Sequence, residues 1–219
     1  MKNPTAIIKT VLSGLFMVLA SPIWGQACTD EAACNFQPNA GPYCLETEVV
    51  HVHEEGALAG MVTYRLFLLT NTDTDQVSAV FGDSEFPLSI TTTTSFYQDA
   101  LGAATPNAIN PILFGGFPDL EFDSWVTIGI DQVPNASAGE GAVEVVSDGA
   151  QPWDITFEEG GDVLINSSIG GAWFSTNNQS NGLPAPDGRV LLGQFTTDGV
   201  LGGSINVSVF PEGQLGGSG

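Results

Sequence analysis

From residue 62 onward the chain runs in short segments. In these segments apolar and polar positions alternate, or β-branched and aromatic residues crowd together. The segments are VTYRLFLLT (62–70), VSAVFG (77–82), LSITTTTSF (88–96), SWVTIGI (124–130), VEVV (143–146), WDITF (153–157), DVLI (162–165), GAWF (171–174), VLLGQFTT (190–197) and SINVSVF (204–210). Clusters of Gly, Pro, Asn and Asp close each of them, which is the signature of strands joined by turns. No window sustains a 3.6-residue apolar period with helix caps. Only YQDALGAATPNAINPILFGG (97–116) has room for a single helical turn, before Pro106 or around Asn110–Leu113. Ten short strands over about 170 residues predict an all-β fold, one antiparallel β-sandwich of jelly-roll or immunoglobulin/cohesin-like kind. There is no internal repeat and no long linker.

The first 26 residues break this pattern. Lys2 and Lys9 precede the apolar run VLSGLFMVLA (11–20), Pro22 ends it, and Ile23 and Gly25 stand at the −3 and −1 positions of a cleavage site. This is the layout of an export signal, and the run is too short to span a bilayer. The expected divisions are a signal peptide (1–26), a small Cys-rich cap or linker (27–45) and a single sandwich domain (46–219). Lipidation of Cys28 is the alternative, but the preceding GQA fits a lipobox poorly. The expected location is secreted or on the outer cell surface, with no membrane span.

The leader carries both lysines. The rest of the chain holds only Arg65 and Arg189 against 25 carboxylates, a net charge of −23. Such a surface repels nucleic acid and anionic lipid, both of which are bound through basic patches. It suits divalent cations and salty surroundings. Without lysine there is no GxxxxGK phosphate loop, no Schiff-base lysine and no Lys–Asn crosslink. No GxSxG elbow is present either.

All three cysteines, Cys28, Cys34 and Cys44, fall in ACTDEAACNFQPNAGPYC (27–44). An oxidising compartment favours a disulfide here, and three cysteines cannot all pair within one chain. The stretch resembles a short Cys-rich motif of large exported Bacteroidota proteins, GCTDxxACNYxPxAxxDDGSC. Cys28, Thr29, Asp30, Ala33, Cys34, Asn35, Pro38, Ala40 and Cys44 match it, Phe36 replaces the tyrosine, and GPY stands where the acidic DDGS would end the motif. If those aspartates hold a cation in relatives, this copy has lost that function. The body resembles an uncharacterised extracellular domain of the same proteins through YRLFLLTN, VSAVFGD, PLSITTTTSFYQ, INPILFGGFPDLEFDSWVTIG, AWF and RVLLGQFTTDG…GSINVSVFPEG. That resemblance implies export and brings no activity with it. Relatives continue into a further strand and often a sorting tail, so the ending GQLGGSG implies a shortened C-terminus or another export route. The cap is expected to be pinned by one disulfide, Cys28–Cys34 placed ahead of Cys34–Cys44.

Three constellations could carry chemistry. HVHEE (51–55) holds both histidines, and on a strand His51 and His53 share a face with Glu55, the arrangement of a transition-metal pair. An exposed polar edge strand explains the same pattern. In NTDTDQ, Asn71, Asp73 and Asp75 alternate as in a calcium loop, with Asp83 available from the next turn. The glycine and glutamate of an EF-hand are missing. DLEFDSW would place Asp119, Glu121 and Asp123 on one strand face as a second calcium candidate. For a glycan ligand, Tyr97, Trp153, Trp173 and Phe174 would form the stacking platform, although large aromatics more often fill sandwich cores.

These readings favour a secreted or cell-surface, non-catalytic structural or adhesive module, and leave its partner open between a glycan and another cell-surface protein. A glycan-binding module is the alternative, and a metal-dependent enzyme stands third. No catalytic residue is assigned; calcium is the expected cation, and His51 and His53 are the candidates for a transition metal.

Overall fold

A computed structural model of the protein describes residues 10–13 and 43–213. Eleven strands dominate: β1 (Thr10–Ser13), β2 (Cys44–Val52), β3 (Val62–Leu69), β4 (Gln76–Gly82), β5 (Leu88–Thr91), β6 (Trp125–Val126), β7 (Glu144–Val146), β8 (Val163–Ile165), β9 (Gly171–Phe174), β10 (Arg189–Thr197) and β11 (Gly202–Phe210). They form two antiparallel sheets, β2-β3-β10-β6 and β7-β9-β4-β11-β5-β8, with β1 also paired to β11. The fold is an all-β sandwich. Strand β1 lies inside the segment read as a leader; the rest of residues 1–26 and the cap residues 27–42 lie outside the described residues. Cys44 is disulfide-bonded, and Cys28 and Cys34 are outside the described residues. The expected Cys28–Cys34 pairing therefore falls outside the described residues.

The inner faces pack Leu66 and Leu68 of β3 and Val190, Leu192 and Phe195 of β10 against Val77, Val80, Trp173, Val207 and Val209 of the larger sheet, all buried. A bulge between Leu191 and Gly193 shifts the phase of β10. Before it Val190 and Leu192 point inward; after it Phe195 does, while Gln194 and Thr196 turn to the outer face. Gly193 makes this possible. A Cβ there would lie 2.7 Å from the Phe195 ring and 3.0 Å from the Trp125 carbonyl oxygen.

Three segments differ from the strands expected of them. WDITF forms a short helix, α1 (Trp153–Glu158). Its β-branched composition resembles a strand, but Trp153 and Phe157 are four apart and both buried, which places them on one helical face. Beyond β5 the threonine tract leaves the sheet and cradles the β10–β11 turn. Thr92 and Thr94 bond the Thr197 hydroxyl at 2.7 and 3.1 Å, and Thr93 accepts from the Val200 N–H. SWVTIGI pairs only at Trp125 and Val126. β2, absent from the ten expected strands, has mostly exposed residues, as suits a sheet edge.

The outer face of the four-stranded sheet is covered too. Residues 97–124 cross it as loop and three 3-10 turns, Pro106–Ala108, Pro111–Gly115 and Pro118–Phe122. Each turn starts at a proline, whose fixed φ and missing N–H suit a first helical position. Ile109 and Leu120 seal against Trp125 and Leu191 in a second small core, flanked by Phe67 and Phe114. Gln194 ties the cover down, its Nε2 donating to the Glu121 and Asp123 carbonyls at 3.0 and 2.9 Å.

Candidate functional site

Where the cover ends, four elements bring His51, His53, Phe122, Thr63 and Thr196 together. The β2–β3 hairpin continues past the named strands, with the His53 N–H donating to the Met61 carbonyl. A bulge between Val49 and His51 sets the phase. Both imidazoles therefore lie on the outer face, with ring centroids 4.5 Å apart. His51 is exposed and His53 is only 6% exposed. Phe122 packs on both, 4.9 Å from His51 and edge-on at 4.5 Å from His53. Burial and the neighbouring His51 lower the His53 pKa, with the Asp119 charge opposing. Glu55 sits in the exposed hairpin turn, outside this cluster.

A hydrogen-bonded chain runs inward from His53. Its Nε2 lies 2.9 Å from the Thr63 hydroxyl, which lies 2.8 Å from the Thr196 hydroxyl, and that hydroxyl donates to the Phe122 carbonyl at 2.6 Å. A carbonyl only accepts, so Thr196 spends its one proton there. Thr63 must then donate to Thr196, and His53 Nε2–H must donate to Thr63. The ring is held as the Nε2–H tautomer, with the lone pair on Nδ1. Thr63 and Thr196 carry no motif that would mark them in the sequence. They are 133 residues apart, and only the β3–β10 register pairs them.

The acidic candidates do other work. Asp75 is 1% exposed, and its two oxygens accept from Asn71 N–H, Thr72 N–H, the Thr72 hydroxyl and Glu212 N–H. Burial alone would raise its pKa, but these donors outweigh burial and hold it below the ordinary value. Its oxygens face donors, so in NTDTDQ Asp75 holds its own loop together. Asp73 is exposed. Asp83 caps its own turn by accepting from Glu85 and Phe86 N–H at 2.7 Å. Strand β4 separates it from Asp75 by about 25 Å at ordinary strand rise, so the two cannot share an ion.

The set Asp119, Glu121, Asp123 also comes apart. The segment is a 3-10 turn, not a strand, and its three-residue period points alternate residues in different directions. Asp119 is half-buried, Glu121 is exposed, and Asp123 is fully buried. Burial pushes Asp123 up to about 7, the Asp99 N–H pulls it down, and the Asp99 charge raises it again. Among the described residues, no group of three or more His, Cys, Asp or Glu is arranged to hold a metal ion.

The aromatic platform is not a surface. Trp153 and Trp173 are buried 5.5 Å apart, and their indole N–H groups donate to the Val146 and Thr127 carbonyls. Phe174, next to Trp173 on β9, points the other way and is half-buried. Tyr97 is half-buried and donates to Asp99 at 3.0 Å; burial, then that bond, raises its pKa.

Both arginines of the sandwich lie on the four-stranded sheet. Arg65 donates to Gln194 Oε1 at 3.0 Å and pairs with Asp131 at 3.2 Å. Arg189 lies 4.1 Å over the Phe67 ring and pairs with Glu48 and Asp187, each at 2.8 Å. Beside it opens a cleft of about 330 Å³, lined by Phe67, Asp131, Glu140, Asn181, Asp187 and Arg189 among others. No sequence motif marked it, because its lining comes from strands and loops far apart in the chain.

No family model matches this chain, and no curated protein or solved structure matches it. No helix among the described residues is long and apolar enough to cross a membrane.

Proposed function

We propose that the protein is a non-catalytic structural or adhesive module, exported to the cell surface or the medium, where it meets another surface protein. One observation carries this reading: three of the acids read as site candidates are committed to the architecture. Asp75, Asp83 and Asp123 each accept main-chain N–H groups. Carboxylates bonded in this way hold loops in place. The export signal, the lysine-free acidic surface and the resemblance to an extracellular domain support the same reading. The module takes no nucleic acid and spans no membrane.

The glycan alternative has a specific foothold in the cleft beside Arg189, whose volume falls within the range of small-molecule sites. Retention of labelled protein on whole cells separates the two readings. Loss of retention after protease treatment of the cells, with periodate harmless, supports a protein partner. Loss after periodate, with Asp187→Ala also abolishing retention, overturns it in favour of a glycan in the cleft.

A further inference from the structure

We infer that His51 and His53 form a two-imidazole binding site for a divalent first-row transition-metal ion, with copper(II) held most tightly. Three features converge. The His53 ring is fixed by its Nε2–H bond to Thr63, so the lone pair lies on Nδ1, as a metal-ligating histidine requires. Thr63 is itself locked through Thr196 to the Phe122 carbonyl. His51, exposed, leaves the ion accessible.

The separation fits. With metal–nitrogen bonds near 2.0 Å, two imidazoles on one ion put their ring centroids about 4.5 Å apart for a right-angled bite and about 5.2 Å for a tetrahedral one. The observed separation is 4.5 Å. A right-angled bite suits tetragonal copper(II), which also leads the affinity series for nitrogen ligands. Phe122 packs against both rings and limits their rotation. With two protein ligands, water fills the remaining positions.

The test is copper(II) titration of tag-free protein followed by calorimetry and electron paramagnetic resonance, with nickel(II) and zinc(II) as competitors. The expected result is one saturable equivalent with equatorial nitrogen coupling, ordered copper over nickel and zinc. His51→Ala should keep the fold, since its side chain is exposed, and weaken binding at least tenfold. Thr63→Val keeps both imidazoles, frees the His53 tautomer and should weaken binding less. Absence of saturable binding, or His51→Ala binding copper as tightly as the parent, would overturn the site.

Discussion

The Asp99 N–H donates to Asp123 Oδ1 over 2.7 Å, while Oδ2 of the same buried carboxyl has no hydrogen-bond partner. The Gly102 backbone closes over Oδ2 so tightly that a Cβ there would strike it. One oxygen organises the loop that begins the cover, and the other is cut off from water. Burial thus favours the protonated form and brings Asp123 to about 7.

A raised folded pKa has a definite sign in stability. The unfolded carboxyl titrates near 3.8, so the contribution is complete below about pH 4 and is lost as pH rises through 7. The upper bound is about 4 kcal/mol over that window. Asp123→Asn keeps an acceptor for Asp99 and cannot ionise. Its chemical denaturation midpoint should exceed the parent's at pH 8, and the advantage should vanish by pH 4. Parallel pH profiles for the two proteins would show that Asp123 does not ionise across this range.

Asp75 carries the opposite sign. Its folded pKa is depressed, so its contribution is present above about pH 4 and disappears as pH falls further. Asp75→Asn turns an amide toward four donors and should cost about 2–3 kcal/mol at pH 7 in urea denaturation. The deficit should shrink toward pH 3. Asp73→Asn, at an exposed position, should be neutral. Melting temperatures in calcium and in EDTA, at matched ionic strength, should coincide for all three proteins; a calcium increment lost in Asp73→Asn would restore the loop as a cation site.

Arg189 answers three acids, Glu46, Glu48 and Asp187, and stacks on Phe67. Arg189→Gln should destabilise by about 1–2 kcal/mol through lost stacking and unbalanced carboxylates. Raising the salt concentration to about 1 M should remove the electrostatic part and leave the stacking part. Arg189→Lys should recover little, because an ammonium keeps the charge without the planar face. Equal losses at low and high salt would assign the whole effect to packing.

Gly193 is needed for space. Gly193→Ala should cost about 1–3 kcal/mol, as overpacking does in a filled core, because the Phe195 ring and the Trp125 carbonyl leave no room. Gly115→Ala, where nothing lies within 4 Å of the added carbon, is the control and should melt with the parent. If Gly193→Ala matches that control, the bulge tolerates a side chain and the packing argument fails.

The sequence by itself determined the fold class, because alternation of apolar residues with turn clusters is local information. VTYRLFLLT, VSAVFG and SINVSVF each became a strand that buries apolar residues on its inner face, Leu66 and Leu68, Val77 and Val80, and Ile205, Val207 and Val209. WDITF misled because five residues cannot separate a period of two from one of 3.6, and only packing of Trp153 beside Phe157 decided it. The histidine pair was legible for the same local reason, since residues two apart on an extended chain share a face. What fixes its chemistry was not legible. Thr63, Thr196 and Phe122 reach His53 through strand register and a bulge, and neither leaves a trace in a short window. The acids show the limit most plainly: Asp73, Asp75, Asp119 and Asp123 look alike in sequence. Tertiary structure alone left Asp73 in water, surrounded Asp75 with donors and sealed Asp123 beneath Gly102, because solvation and hydrogen-bond supply are set by residues distant along the chain.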